Sequence, residues 1–251
     1  EADGPVGWIT FNNPERHNAM SLEMWDATRR ILDDFEHDKD VRVVVLTGAG
    51  GKAFVSGADI SEFEKLRSSQ ELIEKYNSVS DKAFTGINDF PKPTISMIRG
   101  YCIGGGLGLA LCTDMRICSD NSKFGVPAAK LGLYTGVKRL VDLVGPSFAK
   151  EIFFTARQFD AQEAANMGLV NRVVPSAELE SYVKNYADTI SGNAPMTIHA
   201  VKFTVAESII EDRDRNIAKA EALVAGCYAS NDYNEGRKAF MEKRKPVFTG
   251  T

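Results

Sequence analysis

The sequence predicts an α/β protein with an all-helical C-terminal region, and three observations carry that prediction. Over about the first 190 residues, short β-like runs alternate with amphipathic helical stretches. The run Val41–Leu46 is apolar and β-branched almost throughout, the pattern of a parallel strand buried on both faces. From Pro195 to Phe240 the pattern is helical, with Lys and Arg gathering near the end. Alternation followed by helices alone describes an α/β core carrying a helical module.

Taken in order, Val6–Phe11 reads as a strand closed by a turn at Asn12–Glu15. Ser21 is placed to cap a helix whose apolar face is Met24, Trp25, Thr28, Ile31, Leu32 and Phe35. A second buried strand is expected at Thr94–Ile98, a buried helix at Leu107–Cys112 and a further strand at Met115–Ser119. Asp160 opens a helix that stops at Gly168, and a strand follows in Leu169–Val174. No repeat, low-complexity tract or Pro/Gly/Ser linker interrupts the chain.

The 251 residues are 43% apolar and 25% charged, enough for a sizeable core without disulfides or metals. A net charge of −4 lacks the basic footprint of a nucleic-acid binder. No apolar run of about 18 residues is present, so no transmembrane helix is expected. Cys102, Cys112, Cys118 and Cys227 form no CxxC pair, and three of them lie in apolar runs, a usage suited to a reducing compartment. Glu1-Ala2-Asp3-Gly4 does not resemble a signal peptide. A cytoplasmic location is expected, with an organelle matrix as the alternative.

Two glycine segments could carry chemistry. In Thr47–Ile60, Gly48-x-Gly50-x-x-Ala53 matches a loose dinucleotide fingerprint. That fingerprint needs a helix directly after it, yet Phe54-Val55 and Gly57 follow instead. A phosphate-binding loop of the Walker type fails as well, with Leu46 and Ala53 at two of its required positions. The second segment, Arg99–Leu111, holds the triplet Gly104-Gly105-Gly106 between a buried strand and a buried helix. Two readings stand. The glycines could serve close helix-on-strand packing, or they could expose peptide N–H groups that stabilise an oxyanion, with a second donor from the Gly57-Ala58 turn.

At these residues a family becomes recognisable. Gly100–Gly108 and Ala53–Asp59 resemble the two halves of the oxyanion site of the crotonase (enoyl-CoA hydratase/isomerase) superfamily. Asn13–Met20 is similar to its N-terminal loop at the coenzyme A site. Phe159–Ala164 and Gly168–Pro175 resemble its central helix and strand, and Glu235–Pro246 its C-terminal signature. The resemblance implies a spiral of ββα turns over residues 1–192 and a helical trimerisation module over 193–251, assembled as a trimer or a dimer of trimers. It implies that the N–H groups of Ala58 and Gly105 polarise an acyl-CoA thioester and hold an enolate. Substrate contacts are then expected from Arg16, His17, Ala19, Ser56, Ala58, Asp59, Ile60, Gly104, Gly105, Ala128 and Lys243, with Lys245 an alternative to Lys243 for the coenzyme A phosphates. No permanently bound cofactor and no metal are expected, coenzyme A arriving as part of the substrate; no nucleic-acid or membrane partner is expected.

The pattern breaks at one place. A hydratase of this family uses two glutamates, and the matching positions here are Gly108 and Ala128, neither able to transfer a proton. Among substitutes, Tyr134 could relay a proton or form an aromatic wall, and Asp59 could act as an acid or cap the helix near Ile60. Glu62 and Glu64 read as solvated, Asp114 as a cap or ion-pair partner, and His37 and His199 as exposed. The loop Gly132–Arg139 is a few residues shorter than is usual in the family, read either as a deletion that reshapes the pocket or as a gap in the given sequence. The leading reading is an enzyme acting on enoyl-CoA-like thioesters; the alternative is a catalytically impaired acyl-CoA-binding protein of the same fold.

Overall fold

The computed structural model describes every residue except 63–65 and 67. Its strands are β1 (Ala2–Asp3), β2 (Val6–Phe11), β3 (Val43–Gly48), β4 (Ala53–Val55), β5 (Thr94–Ile98), β6 (Tyr101–Ile103), β7 (Met115–Ser119), β8 (Lys123–Gly125), β9 (Phe159–Asp160) and β10 (Arg172–Val174). Its helices are α1 (Leu22–His37), α2 (Gln70–Asn88), α3 (Gly105–Cys112), α4 (Lys138–Thr155), α5 (Ala161–Asn166), α6 (Leu179–Ser191), α7 (Pro195–Ser208), α8 (Ile217–Ala229) and α9 (Asn231–Glu242). Among these, α2, α4 and α6 are not marked out by the sequence pattern above.

The strands form two sheets, ordered β1-β2-β3-β5-β7-β10 and β4-β6-β8-β9. Pairing is parallel except at β1/β2 and β8/β9. Each of β3/β4, β5/β6 and β7/β8 gives one strand to either sheet before the chain turns into a helix, which is the expected ββα spiral.

The larger sheet is covered on both faces, and its strands read accordingly. Val44 and Leu46 point into the main core with Ile9, Phe11, Trp25 and Leu32. Val43 and Val45 point the other way, against Ile95, Ile117 and the α6 residues Leu179 and Val183. Strand β3 starts two residues later than the apolar run does, because its ladder with β2 opens at Val6 opposite Val43. Val41 is buried but lies before that register.

Capping follows the sequence closely. The Ser21 hydroxyl accepts from Met24 N–H at 3.2 Å. Asp160 and Glu163 form a reciprocal capping box at α5. After Gly168 the strand is shorter than expected: Leu169 N–H closes back on the Ala164 carbonyl, so extended pairing begins only at Arg172. The C-terminal helical stretch is broken at Ile209–Asn216 and again at Ser230, whose hydroxyl caps α9 by accepting from Tyr233 N–H. Helix α7 is pinned to the core by Lys202, which donates to Asp114 Oδ2 at 2.8 Å and to the Lys92 carbonyl at 2.9 Å. Asp114 is thus an ion-pair partner, as read. His199 is half-buried rather than exposed, its Nδ1 3.0 Å from the Pro91 carbonyl oxygen. No helix among the described residues is long and apolar enough to cross a membrane.

Candidate active site

Two segments that are distant in sequence converge where β4 and β6 end. The first, Ser56–Asp59, is held by the loop Asn13–Met20. Ser56 N–H donates to the His17 carbonyl at 3.1 Å, Met20 N–H to Gly57 at 2.8 Å, and Asp59 N–H to Met20 at 2.9 Å. This one-residue parallel bridge uses the groups on either side of Ala58, so the Ala58 N–H faces away from Met20. It meets no acceptor among the described residues.

The second segment is the start of α3. Gly104 takes φ +57° at the N-cap, a left-handed turn that glycine enters at no steric cost. Its N–H donates to the Gly125 carbonyl at 2.8 Å. Gly105, the first helical residue, has an N–H with no intrahelical partner, as every helix start does. It too lacks an acceptor among the described residues. The two free amides open on one small space: a Cβ built on Gly105 would lie 3.7 Å from the Ala58 nitrogen, and one on Gly57 would lie 3.9 Å from the Gly105 nitrogen. The helix is pressed there by Gly106, where a Cβ would stand 2.0 Å from the Val55 carbonyl oxygen. The triplet therefore serves close packing at Gly106 and leaves an acceptor-free amide at Gly105.

Asp59 anchors the turn. Its carboxylate accepts from the Ser61 hydroxyl (2.7 Å), from Ser61 N–H (3.0 Å) and from Arg16 Nη1 (2.8 Å). These donors, the Ser61 hydroxyl foremost, hold the carboxyl below the usual carboxylate range against the opposing pull of burial. Asp59 is thus a cap and an ion-pair partner, a pinned anion rather than an available acid. Its side chain is 11% exposed and that of Arg16 55%, so the guanidinium keeps an open face. Asn18, fully buried, locks the same loop: Nδ2 donates to the carbonyls of Ala49 and Ala53, and Oδ1 accepts from Asn13 N–H. The His17 ring meets Tyr101 edge-on at 5.9 Å.

Several sequence-predicted residues gather here: Arg16, His17, Ala19, Ser56, Ala58, Asp59, Gly104 and Gly105 lie on the two segments and their latch. Ile60 follows Asp59 with an exposed side chain. Half-buried Ala128 adjoins Pro127, whose Cδ would lie 3.8 Å from a Cβ on Gly104. Tyr134 is 87% exposed, so in the single chain it is neither a pocket wall nor a positioned proton relay. Lys243 is the left-handed C-cap of α9, and no hydrogen bond or ion pair ties its ammonium to these loops among the described residues. Glu62 corrects its reading as a solvated side chain: it is half-buried and accepts from Leu22 N–H at 3.1 Å, capping α1 from 40 positions away. Glu64 lies outside the described residues. Burial pushes the Cys112 thiol up to about 11, the Cys118 thiol to about 12 and Cys102 well above its ordinary value, so none is a poised nucleophile.

Some participants were not legible as such. Ser61 and Asn18 act through bonds to segments 31 to 45 positions away. Trp25 reads in the sequence as a core residue of α1, yet its Cζ2 would lie 3.4 Å from a Cβ on Gly105, making it a wall of the amide space. An aromatic residue at helical spacing gives no sign of that second role.

One acceptor-free amide at a helix start and one in a facing turn lie beside the Trp25 ring, an arrangement of the class that can donate to a carbonyl or carboxylate oxygen. The comparisons narrow that class. The enoyl-CoA hydratase/isomerase family model matches residues 1–251. A short-chain-enoyl-CoA hydratase of Clostridium acetobutylicum is 35% identical over 98% of this chain and 94% of its own length. A crotonyl-CoA hydratase of Syntrophomonas wolfei is 36% identical over 99% and 96%. An enoyl-CoA hydratase structure from Bacillus anthracis superposes with a TM-score of 0.94 at 32% identity, covering 100% of this chain and 98% of that one. The chain belongs to the enoyl-CoA hydratase/isomerase family, within the crotonase superfamily.

Proposed function

We propose that this chain is an enzyme of acyl-CoA thioesters that polarises the thioester carbonyl on the N–H groups of Ala58 and Gly105. The observation that carries the proposal is the pair of acceptor-free amides opening on one space. Two such donors stabilise the charge that develops as the carbonyl becomes an enolate, a single one being worth about 3–4 kcal/mol in other enzymes. The open face of Arg16, the His17 ring and Lys243 or Lys245 supply contacts to coenzyme A. Gly108 and Ala128 take the positions of the two hydratase glutamates, so polarisation is retained while protein-borne proton transfer is lost. Tyr134 and Asp59 do not replace them: one faces solvent, the other is pinned. Coenzyme A enters as part of the substrate rather than as a resident cofactor.

The test is binding and turnover together. Calorimetry with crotonyl-CoA should give saturable heat, competed by coenzyme A; no heat and no competition at millimolar ligand would overturn the proposal. Hydration, followed by loss of the conjugated enoyl absorbance, should run about 10²–10⁴-fold below a two-glutamate hydratase. A second reading, a binding protein that has lost catalysis, is favoured by the same two positions. Binding without any turnover in water across an enoyl-CoA panel would select it.

Self-assembly belongs to the proposal as well. Residues 193–251 serve as a trimerisation module on the spiral of residues 1–192, giving a trimer or a dimer of trimers. The support is an apolar groove of about 830 Å³ between α7, α8 and α9, lined by Val201, Val224, Tyr228, Tyr233, Phe240 and Phe248.

A further inference from the structure

We propose that Phe84 is the specificity-determining residue of this site, ending the acyl pocket after a short chain. The inference rests on the reading of the Ala58 and Gly105 amides as the thioester-carbonyl site. Gly105 and Gly108 are three positions apart on α3 and so share a face of that helix. At 1.5 Å per residue they are about 4.5 Å apart along its axis. Each faces an aromatic ring from a different helix. Trp25 of α1 has Cζ2 3.4 Å from a Cβ built on Gly105, and Phe84 of α2 has Cε1 3.1 Å from a Cβ built on Gly108. The two rings pack on each other with centroids 5.0 Å apart.

The rings differ in a way that assigns their parts. Trp25 is fully buried and fixed, its indole N–H donating to the Tyr76 hydroxyl at 3.0 Å. Phe84 is only half-buried, so its ring borders open space. An acyl group whose carbonyl oxygen sits on the two amides would run along the glycine face, with Trp25 beside it. One helical turn on, it would meet Phe84. Gly108 leaves that ring room to stand so close; any side chain there would force it to shift. Since the Trp25 N–H is already taken by Tyr76, neither ring offers a hydrogen bond to a polar acyl group. The class of substrate that fits is a short, unfunctionalised acyl thioester.

The experiment compares butyryl-CoA and octanoyl-CoA by calorimetry, with coenzyme A as baseline, on the wild-type chain, Phe84→Ala and Phe84→Leu. In the wild type, octanoyl-CoA should bind no more tightly than butyryl-CoA. Removing the ring should raise the octanoyl-to-butyryl affinity ratio about tenfold or more, two further buried methylenes sufficing at about fourfold each. Should the alanine variant fail to fold by circular dichroism, the leucine variant carries the same test, since it keeps an apolar contact between α2 and α3. An unchanged ratio in a folded variant would overturn the proposal, as would a wild type that binds octanoyl-CoA tenfold more tightly than butyryl-CoA. If neither ester binds the wild type more tightly than coenzyme A alone, the thioester reading of the amide pair fails first, and this inference with it.

Discussion

Two phenylalanines, Phe124 and Phe240, set the two halves of the molecule side by side. Phe124 on β8 is 0% exposed and stacks on Phe159 with ring centroids 5.8 Å apart. Phe240 on α9 is 82% exposed. The contrast runs through both regions. The spiral buries its own apolar side chains from every strand of the larger sheet except the exposed β1, whereas α8 buries none and α7 only Ala200. Val201, Tyr228 and Met241 stand exposed around the same groove, and Val205 and Ile217 are exposed elsewhere on α7 and α8. The spiral completes a core within one chain. The tail leaves large apolar side chains exposed, and under the assembly proposed above a second copy would cover them.

The largest effect should come from breaking the closed side of this comparison. Phe124→Ala removes a fully buried ring and is expected to cost about 3–5 kcal/mol of unfolding free energy, read by denaturant titration. Breaking the open side should act on assembly instead. Phe240→Asp should leave the circular dichroism spectrum intact and shift the protein toward smaller species in light scattering. A central apolar contact is worth about 2 kcal/mol or more, roughly a thirtyfold weaker association. A wild type that is a stable monomer at micromolar concentration would refute the interface reading of the tail.

The smallest effect sharpens the comparison, because it concerns a charge held within the closed half. Asp59→Asn should cost about 1–2 kcal/mol, as its bonds to Arg16 and Ser61 are charge-assisted. The pH dependence has a definite sign. A carboxyl whose folded value is depressed stabilises the protein above its ordinary value of 3.8 and loses that contribution as pH falls through the lower folded value. The difference between wild type and Asn variant should therefore be constant at neutral pH and shrink in acid. A difference that grows toward low pH would contradict the pinned-anion reading.

What was legible before the fold was known depended on how far along the chain each interaction reaches. The Ser21 cap, the helix start at Asp160 and the two-sided burial of β3 are local, and each was readable from the sequence pattern. The start of β3 lies two residues after that of the apolar run because register with β2, not propensity, sets it. Glu62 was read as solvated because nothing near it in sequence accounts for a partner; its donor is Leu22. Tyr134 looked attractive for its place in a loop, and only its exposure removes it.

The sequence by itself determined the α/β order, the glycines that free two amides, and the lack of any carboxylate at positions 108 and 128. These are properties of residue identity and short-range periodicity. Only the tertiary structure decided that Ala58 and Gly105 share one space, that Arg16 and Asp59 pair across 43 positions, and that Phe84 stands over Gly108. The physical reason is that such contacts arise from packing one element's surface on another's, and the pairing of surfaces depends on every side chain between them. A chain read residue by residue declares which groups are present; the close-packed fold selects which of them meet.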